Sequence, residues 1–95
     1  MTVEEVKIEL EKVISSLTSS GFDNIDSVIV KKLDGLTASA GGLSMKEGKR
    51  LIENLVNEMK SDKAGETKIK SCNTRLVALD FYVKKLSDIG NIEDY

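Results

Sequence analysis

Apolar residues recur along this chain at alternating spacings of three and four, the period of a helix that buries one face. The first such segment begins near the N-terminus, where Thr2 and Glu5 have the T-x-x-E spacing of a capping box. A run of serines followed by Gly21 predicts its end, since serine competes for backbone hydrogen bonds and glycine suits a helix C-terminus. Its apolar positions are Val3, Val6, Leu10, Val13 and Leu17.

Two further helices are predicted in the middle of the chain. The second covers roughly residues 24–38, with Asp23 or Asn24 as its cap and Gly35 weakening its end. The third covers about 45–61, where Ser44 and Glu47 repeat the capping-box spacing. The apolar positions of the second are Phe22, Ile25, Val28, Ile29, Leu33 and Leu36; those of the third are Met45, Gly48, Leu51, Ile52, Leu55, Val56 and Met59.

The fourth segment has the most regular pattern, because its apolar positions keep a 3-4-3-4-3 spacing. Additional apolar residues widen the arc beyond a single face, which is typical of a helix packed against several others. We therefore predict an all-α protein, a small antiparallel four-helix bundle. Residues 1–90 form its single domain and residues 91–95 a short acidic tail. The regular positions are Ile69, Cys72, Leu76, Leu79, Val83 and Leu86, and the additional ones Val77, Ala78, Phe81 and Tyr82.

Composition removes several classes of chemistry. The 95 residues include no histidine, so the chain has no imidazole base, no Ser-His or Cys-His nucleophile pair and no mixed Cys/His zinc site. Its carboxylates lack the dense ligand spacing of a calcium loop. We expect no catalytic residue, no cofactor and no metal site, and therefore a protein that is not an enzyme.

The number of cysteines and the hydropathy pattern indicate in which cellular compartment the protein is expected. A single cysteine, Cys72, permits no internal disulfide, and its place on the apolar face of the fourth helix predicts a buried thiol. The first residues, MTVEE, show neither the basic nor the apolar region of a secretory signal. The longest uninterrupted apolar run is three residues, Val28 to Val30, too short for a bilayer. We expect a cytoplasmic protein with no membrane partner.

The stretch TASAGGLSMKEGKRL, residues 37–51, has features of a phosphate-binding loop. A Walker A motif needs two glycines separated by four residues, the second followed directly by Lys and then Ser or Thr. Here five residues separate Gly42 from Gly48, and Arg50 stands in place of the hydroxyl residue. We interpret Gly41-Gly42 as a break between helices rather than as a nucleotide site.

Two other interpretations of the same stretch stay open. Amide groups at the start of the third helix, with nearby cations, form a candidate anion site comprising Ser44, Lys46, Lys49 and Arg50. Gly48 lies on the inward face, where glycine costs about 1 kcal/mol relative to alanine. Since an absent side chain lets another helix approach, we predict a close helix contact at Gly48.

Charge is distributed unevenly although the net charge is only -2. Residues 1–42 contain four lysines and seven acids, whereas residues 43–90 contain ten cations and seven acids. A nucleic-acid or regulatory role through the basic side of helices three and four is therefore an alternative function. Because acids interleave the cations and the isoelectric point is about 5.2, we rank nucleic acid below a protein partner.

The broad apolar arc of the fourth helix exceeds what a small four-helix core covers. We therefore predict a non-catalytic protein–protein interaction module that self-associates, with Val77, Phe81 and Tyr82 as the partner surface. The length, the lack of proline and the central glycine turn loosely resemble the small helical-hairpin proteins exported by the WXG-type pathway. That resemblance implies a secretion-system partner as a further alternative. The chain departs from the pattern in having no Trp-x-Gly and in having Leu86, not an acid, four residues after Tyr82.

Overall fold

The protein is an all-α bundle of four helices, as the sequence predicts. The computed structural model describes residues 2–22 and 27–89, together with the side chains of these residues except 87–89. The helices are α1 (Val3–Ser20), α2 (Ser27–Gly42), α3 (Lys46–Lys60) and α4 (Gly65–Ile89). The predicted acidic tail at 91–95 and the predicted cap at Asp23 or Asn24 lie outside the described residues.

The helices follow one another around the bundle, and α4 closes the ring by packing against α1. The longest dimension is 39 Å, close to the length of about 37 Å expected for a 25-residue helix, so the helices run along this axis. Lys49, near the start of α3, lies against Gly41 at the end of α2, whereas Lys60 at the end of α3 pairs with Asp34 farther back along α2. Adjacent helices α2 and α3 are therefore antiparallel.

The core consists largely of the apolar faces that the spacing predicts. In α2, however, Val28 is exposed, and the predicted position Ile25 lies outside the described residues. The described part of the chain contains no buried polar or charged side chain, so apolar contact holds the bundle together. Cys72, Leu76, Leu79, Val83 and Leu86 of α4 are all buried, and Ile69 packs partly buried at the edge. The helical period of α4 is confirmed at every one of these positions.

Capping explains where α1 begins and ends. The Thr2 hydroxyl accepts a hydrogen bond from the Glu5 amide at 3.1 Å, and the Glu5 carboxylate accepts one from the Thr2 amide at 2.9 Å. That amide bond keeps the pKa of Glu5 below its usual value, because it favours the ionised carboxylate. At the other end Gly21 takes a φ of +74°, which glycine adopts without a steric penalty. The capping box and the glycine stop are both confirmed.

The turn between α2 and α3 differs from the prediction. Helix α2 continues through Gly41 and Gly42, and the residue with positive φ is Ser44, at +61°. The Met45 amide donates to the Ala40 carbonyl at 2.9 Å and the Ser44 amide to the Gly41 carbonyl at 3.2 Å. These two bonds form a Schellman motif with Ser44 at C′. Buried Met45 and Ala40 supply its apolar contact, which fixes the turn at this position.

The predicted capping box at Ser44 and Glu47 is consequently wrong. Met45, not Ser44, directly precedes α3, and no side chain caps this helix. Ser44 instead completes the end of α2, while the Glu47 carboxylate binds the Arg50 guanidinium.

We expect Ser44→Gly to raise the free energy of unfolding by about 1 kcal/mol, because a non-glycine residue pays roughly that much in the left-handed region. Ser39→Gly is the matched control. Ser39 lies inside helical α2, so there the same change costs a few tenths to 1 kcal/mol. Chemical denaturation measures both variants, and destabilisation by Ser44→Gly would contradict the assigned turn.

Candidate functional site

Two large apolar side chains of α4 are exposed. Val77 is 66% exposed and Phe81 is 67% exposed. They are four residues apart and therefore lie on one face of the helix, away from the face that carries Leu76 and Leu79. The buried core of the described residues includes neither side chain. The apolar surface of α4 is therefore broader than the part of it that packs against the other helices.

A groove between α3 and α4 adjoins these two side chains. Its volume is about 440 Å³ and it opens broadly to solvent. The groove has an apolar floor with charged and hydroxyl groups at its edges. The floor is formed by Leu51, Val77, Ala78, Phe81 and Tyr82, and the edges by Glu47, Arg50, Thr74 and Lys85. We call this surface the α3–α4 groove.

Tyr82 does not share the exposure of its neighbours. Only 8% of Tyr82 is exposed, and its ring lies against Gly48 of α3. A Cβ built on Gly48 would lie 2.8 Å from the Tyr82 hydroxyl oxygen, closer than real Cβ atoms approach, and 3.0 Å from Cε2, which is tighter than most Cβ contacts. The predicted partner surface therefore divides: Val77 and Phe81 lie at the surface, and Tyr82 belongs to the core beneath them.

An ion pair sits at one edge of the groove. The Arg50 Nε donates to the Glu47 carboxylate at 3.1 Å, and a second guanidinium nitrogen also binds it. Arg50 lowers the pKa of Glu47, with a smaller contribution from Lys85, and Glu47 raises the pKa of Arg50. Both groups are therefore charged at neutral pH, and the edge of the groove combines an acid with cations.

The four residues of the candidate anion site are placed as follows. The Ser44 amide already donates to Gly41. The Lys49 side chain lies along α2, with its Cδ 3.5 Å from the place where a Gly41 Cβ would be. Arg50 lies on the other side of α3, in the α3–α4 groove, and Lys46 is exposed at the first position of α3. The side chains of Lys49 and Arg50 therefore lie on different surfaces of α3, one beside α2 and the other in the α3–α4 groove.

Several cations of α3 and α4 are paired with acids. Lys60 binds Asp34 at 3.2 Å and Lys84 binds Asp80 at 3.0 Å. Glu58 lies between two cations, with Lys63 at 3.2 Å and Arg75 at 3.9 Å. These pairs interrupt the basic side of the bundle, whereas a nucleic-acid footprint needs cations clustered on one surface.

Cys72 is buried in the core, as its position predicts. Burial raises the pKa of its thiol, and nearby Lys68 offsets this only in part. A reactive cysteine needs the opposite, a lowered pKa and partial exposure. The residue therefore acts as a small apolar side chain of α4.

Besides Val28, Ile8 is an exposed apolar residue that the sequence analysis does not identify. Ile8 of α1 is 42% exposed and lies off the apolar positions that α1 buries. The signal was present in the sequence, since an isoleucine stands among glutamates outside the 3-4 spacing.

Within residues 2–22 and 27–89, no cluster of acids and cysteine has the arrangement of a metal site. In the same part of the chain, no helix combines the length and apolar character needed to cross a bilayer. Comparison of the chain with protein-family models, with curated proteins and with solved structures finds no match.

Proposed function

We propose that this protein is a non-catalytic interaction module that associates with a second copy of itself through the exposed face of α4. The observation that carries the proposal is the exposure of Val77 and Phe81 beside the α3–α4 groove. Burying an aromatic or branched side chain is worth about 1.5–3 kcal/mol each, so this face favours association.

The surface has the composition of an interface centre. An aromatic side chain stands at an apolar groove and charged groups surround it, as in interfaces where one or two anchors carry most of the affinity. Because the Leu51 and Tyr82 side chains are held in the core, the floor of the groove is formed before any partner arrives. Little ordering is then needed on binding, which favours affinity.

A second copy suits the edge of the groove, since both signs of charge are present there. Because the chain carries acids as well as cations, a second copy can present acids to Arg50 and Lys85 at this edge. Closed symmetric or head-to-tail self-association is the usual route by which soluble chains cover such a surface. The proposal places this association in the cytoplasm.

Phe81→Ser is expected to abolish concentration-dependent association while leaving the bundle folded, because the residue lies outside the core. Sedimentation velocity measures the association, and circular dichroism with thermal melting checks the fold. Val28→Ser is the matched control, since Val28 is equally exposed, at 66%, and lies outside the α3–α4 groove. Equal loss in both variants, or undiminished association of Phe81→Ser, would contradict a role for α4.

A further inference from the structure

If copies associate as proposed above, a surface of one copy must enter the groove of another. The identity of that surface is inferred here and rests on the proposed function. Two other large apolar side chains are exposed among the described residues, Ile8 on α1 and Val28 on α2. Two exposed lysines, Lys31 and Lys32, lie one turn after Val28, so Val28 would bring further cations to a groove that already carries them, and Ile8 is the better candidate. The residues one turn away from Ile8 are all exposed, and three of the four are acids. They are Glu4, Glu5, Glu11 and Lys12.

The surroundings of Phe81 carry more cations than acids. One turn after Phe81 lie Lys84 and Lys85, both exposed, and one turn before it lie Val77 and Ala78. Arg50 adds a further cation from α3, at the edge of the same groove. Ion pairs within each surface, such as Lys7 with Glu4 on α1 and Lys84 with Asp80 on α4, neutralise part of this charge. An excess of acids around Ile8 nevertheless complements an excess of cations around Phe81.

The charges of the whole helices agree with this local pattern. Helix α1 carries four glutamates and two lysines, whereas α4 carries five cations and three acids. A symmetric contact between two α4 helices would bring two cation-rich surfaces together, and like charges oppose association. A contact between α1 and α4 of different copies pairs opposite charges instead.

The α1 surface cannot fill the groove of its own copy. Helix α1 packs against α2 and α4, and the groove lies between α3 and α4. We propose that the Ile8 surface of α1 in one copy docks in the α3–α4 groove of the next copy. Each copy then offers one groove and one α1 surface. The contact can therefore be made twice in a two-fold dimer, or once per neighbour in a larger ring or an open chain.

Two single substitutions distinguish this α1–α4 contact from a symmetric contact between two α4 helices. Ile8→Asp spoils the α1 surface and retains the groove, while Phe81→Asp spoils the groove and retains the α1 surface. Each variant alone is expected to lose self-association by at least about tenfold, because each lacks one half of the contact. Circular dichroism confirms that both are folded.

Mixing the two variants is the test. The α1–α4 contact predicts that the equimolar mixture forms complexes of twice the 10.4 kDa chain mass and no larger species, since one intact contact per pair remains. The complex is expected to weaken as salt is raised, because opposite charges flank the contact. Sedimentation velocity at low and high salt measures both effects.

Other results would overturn the proposal. If Ile8→Asp still associates like the original protein, or if the mixture shows no heterodimer, α1 does not dock in the groove, although association through α4 stands. A failure of the proposed function looks different, because the unsubstituted protein then stays monomeric at every concentration.

Discussion

Leu79→Ala is expected to lower the free energy of unfolding by about 2–5 kcal/mol. Leu79 is fully buried in α4, at the centre of a core that contains no polar side chain among the described residues. Removing its side chain loses apolar contacts and leaves a cavity that the neighbouring helices fill only in part. In a domain of this size, each 1 kcal/mol lowers the melting temperature by about 4–8 °C.

Val77→Ala on the same helix is the control. Because Val77 is exposed, the expected change in the free energy of unfolding is within about 0.5 kcal/mol. Chemical denaturation of both variants, at a concentration where the protein is monomeric, gives the comparison. A loss of 2 kcal/mol or more at Val77 would mean that this side chain completes the core and is not part of a partner surface.

Gly48→Leu is expected to destabilise the bundle by about 1–3 kcal/mol, because the buried Tyr82 ring of α4 occupies the space beside this residue of α3. A Cβ at Gly48 would already lie 2.8 Å from the Tyr82 hydroxyl oxygen, and leucine adds three more carbons. Tyr82 is buried, so its ring yields only by leaving the core and entering the α3–α4 groove. Thermal melting should therefore show a clear decrease in melting temperature.

A glycine of α2 supplies the contrast. Gly35 also lies inside a helix, but a Cβ there meets no atom within 4 Å. Gly35→Ala is therefore expected to stabilise the protein by about 0.5–1 kcal/mol, since alanine restricts the unfolded chain. If Gly48→Leu melts no lower than the original protein, the close contact between α3 and α4 is absent.

The periodicity of apolar residues predicts most of this fold. The buried positions of α4 follow from a strict 3-4 spacing, and the start of α1 follows from Thr2 and Glu5. Both features depend on interactions between residues one turn apart, which a single sequence records directly. The antiparallel order follows from the short connections between helices.

The turn at Ser44 depends on contacts between helices. Glycine is the usual residue for a positive φ, so the sequence predicts the turn at Gly41-Gly42. In the structure the buried side chains of Ala40 and Met45 fix the turn at Ser44 instead.

The division of the α4 surface follows from spacing along the helix. Tyr82 lies three residues after Leu79 and four before Leu86, both buried, so the helical period places Tyr82 toward the core and its neighbour Phe81 on the opposite face. The contact of the Tyr82 ring with Gly48 depends on the packing of α3 against α4, which spacing along one helix does not specify.

The central claim is that the exposed face of α4 brings copies of this chain together. Sedimentation velocity of the unsubstituted protein, from dilute to concentrated solution at low salt, tests it most directly. We predict that the weight-average mass rises above 10.4 kDa as concentration increases, and that the rise disappears in Phe81→Ser. A mass that stays at 10.4 kDa throughout the range would contradict the claim.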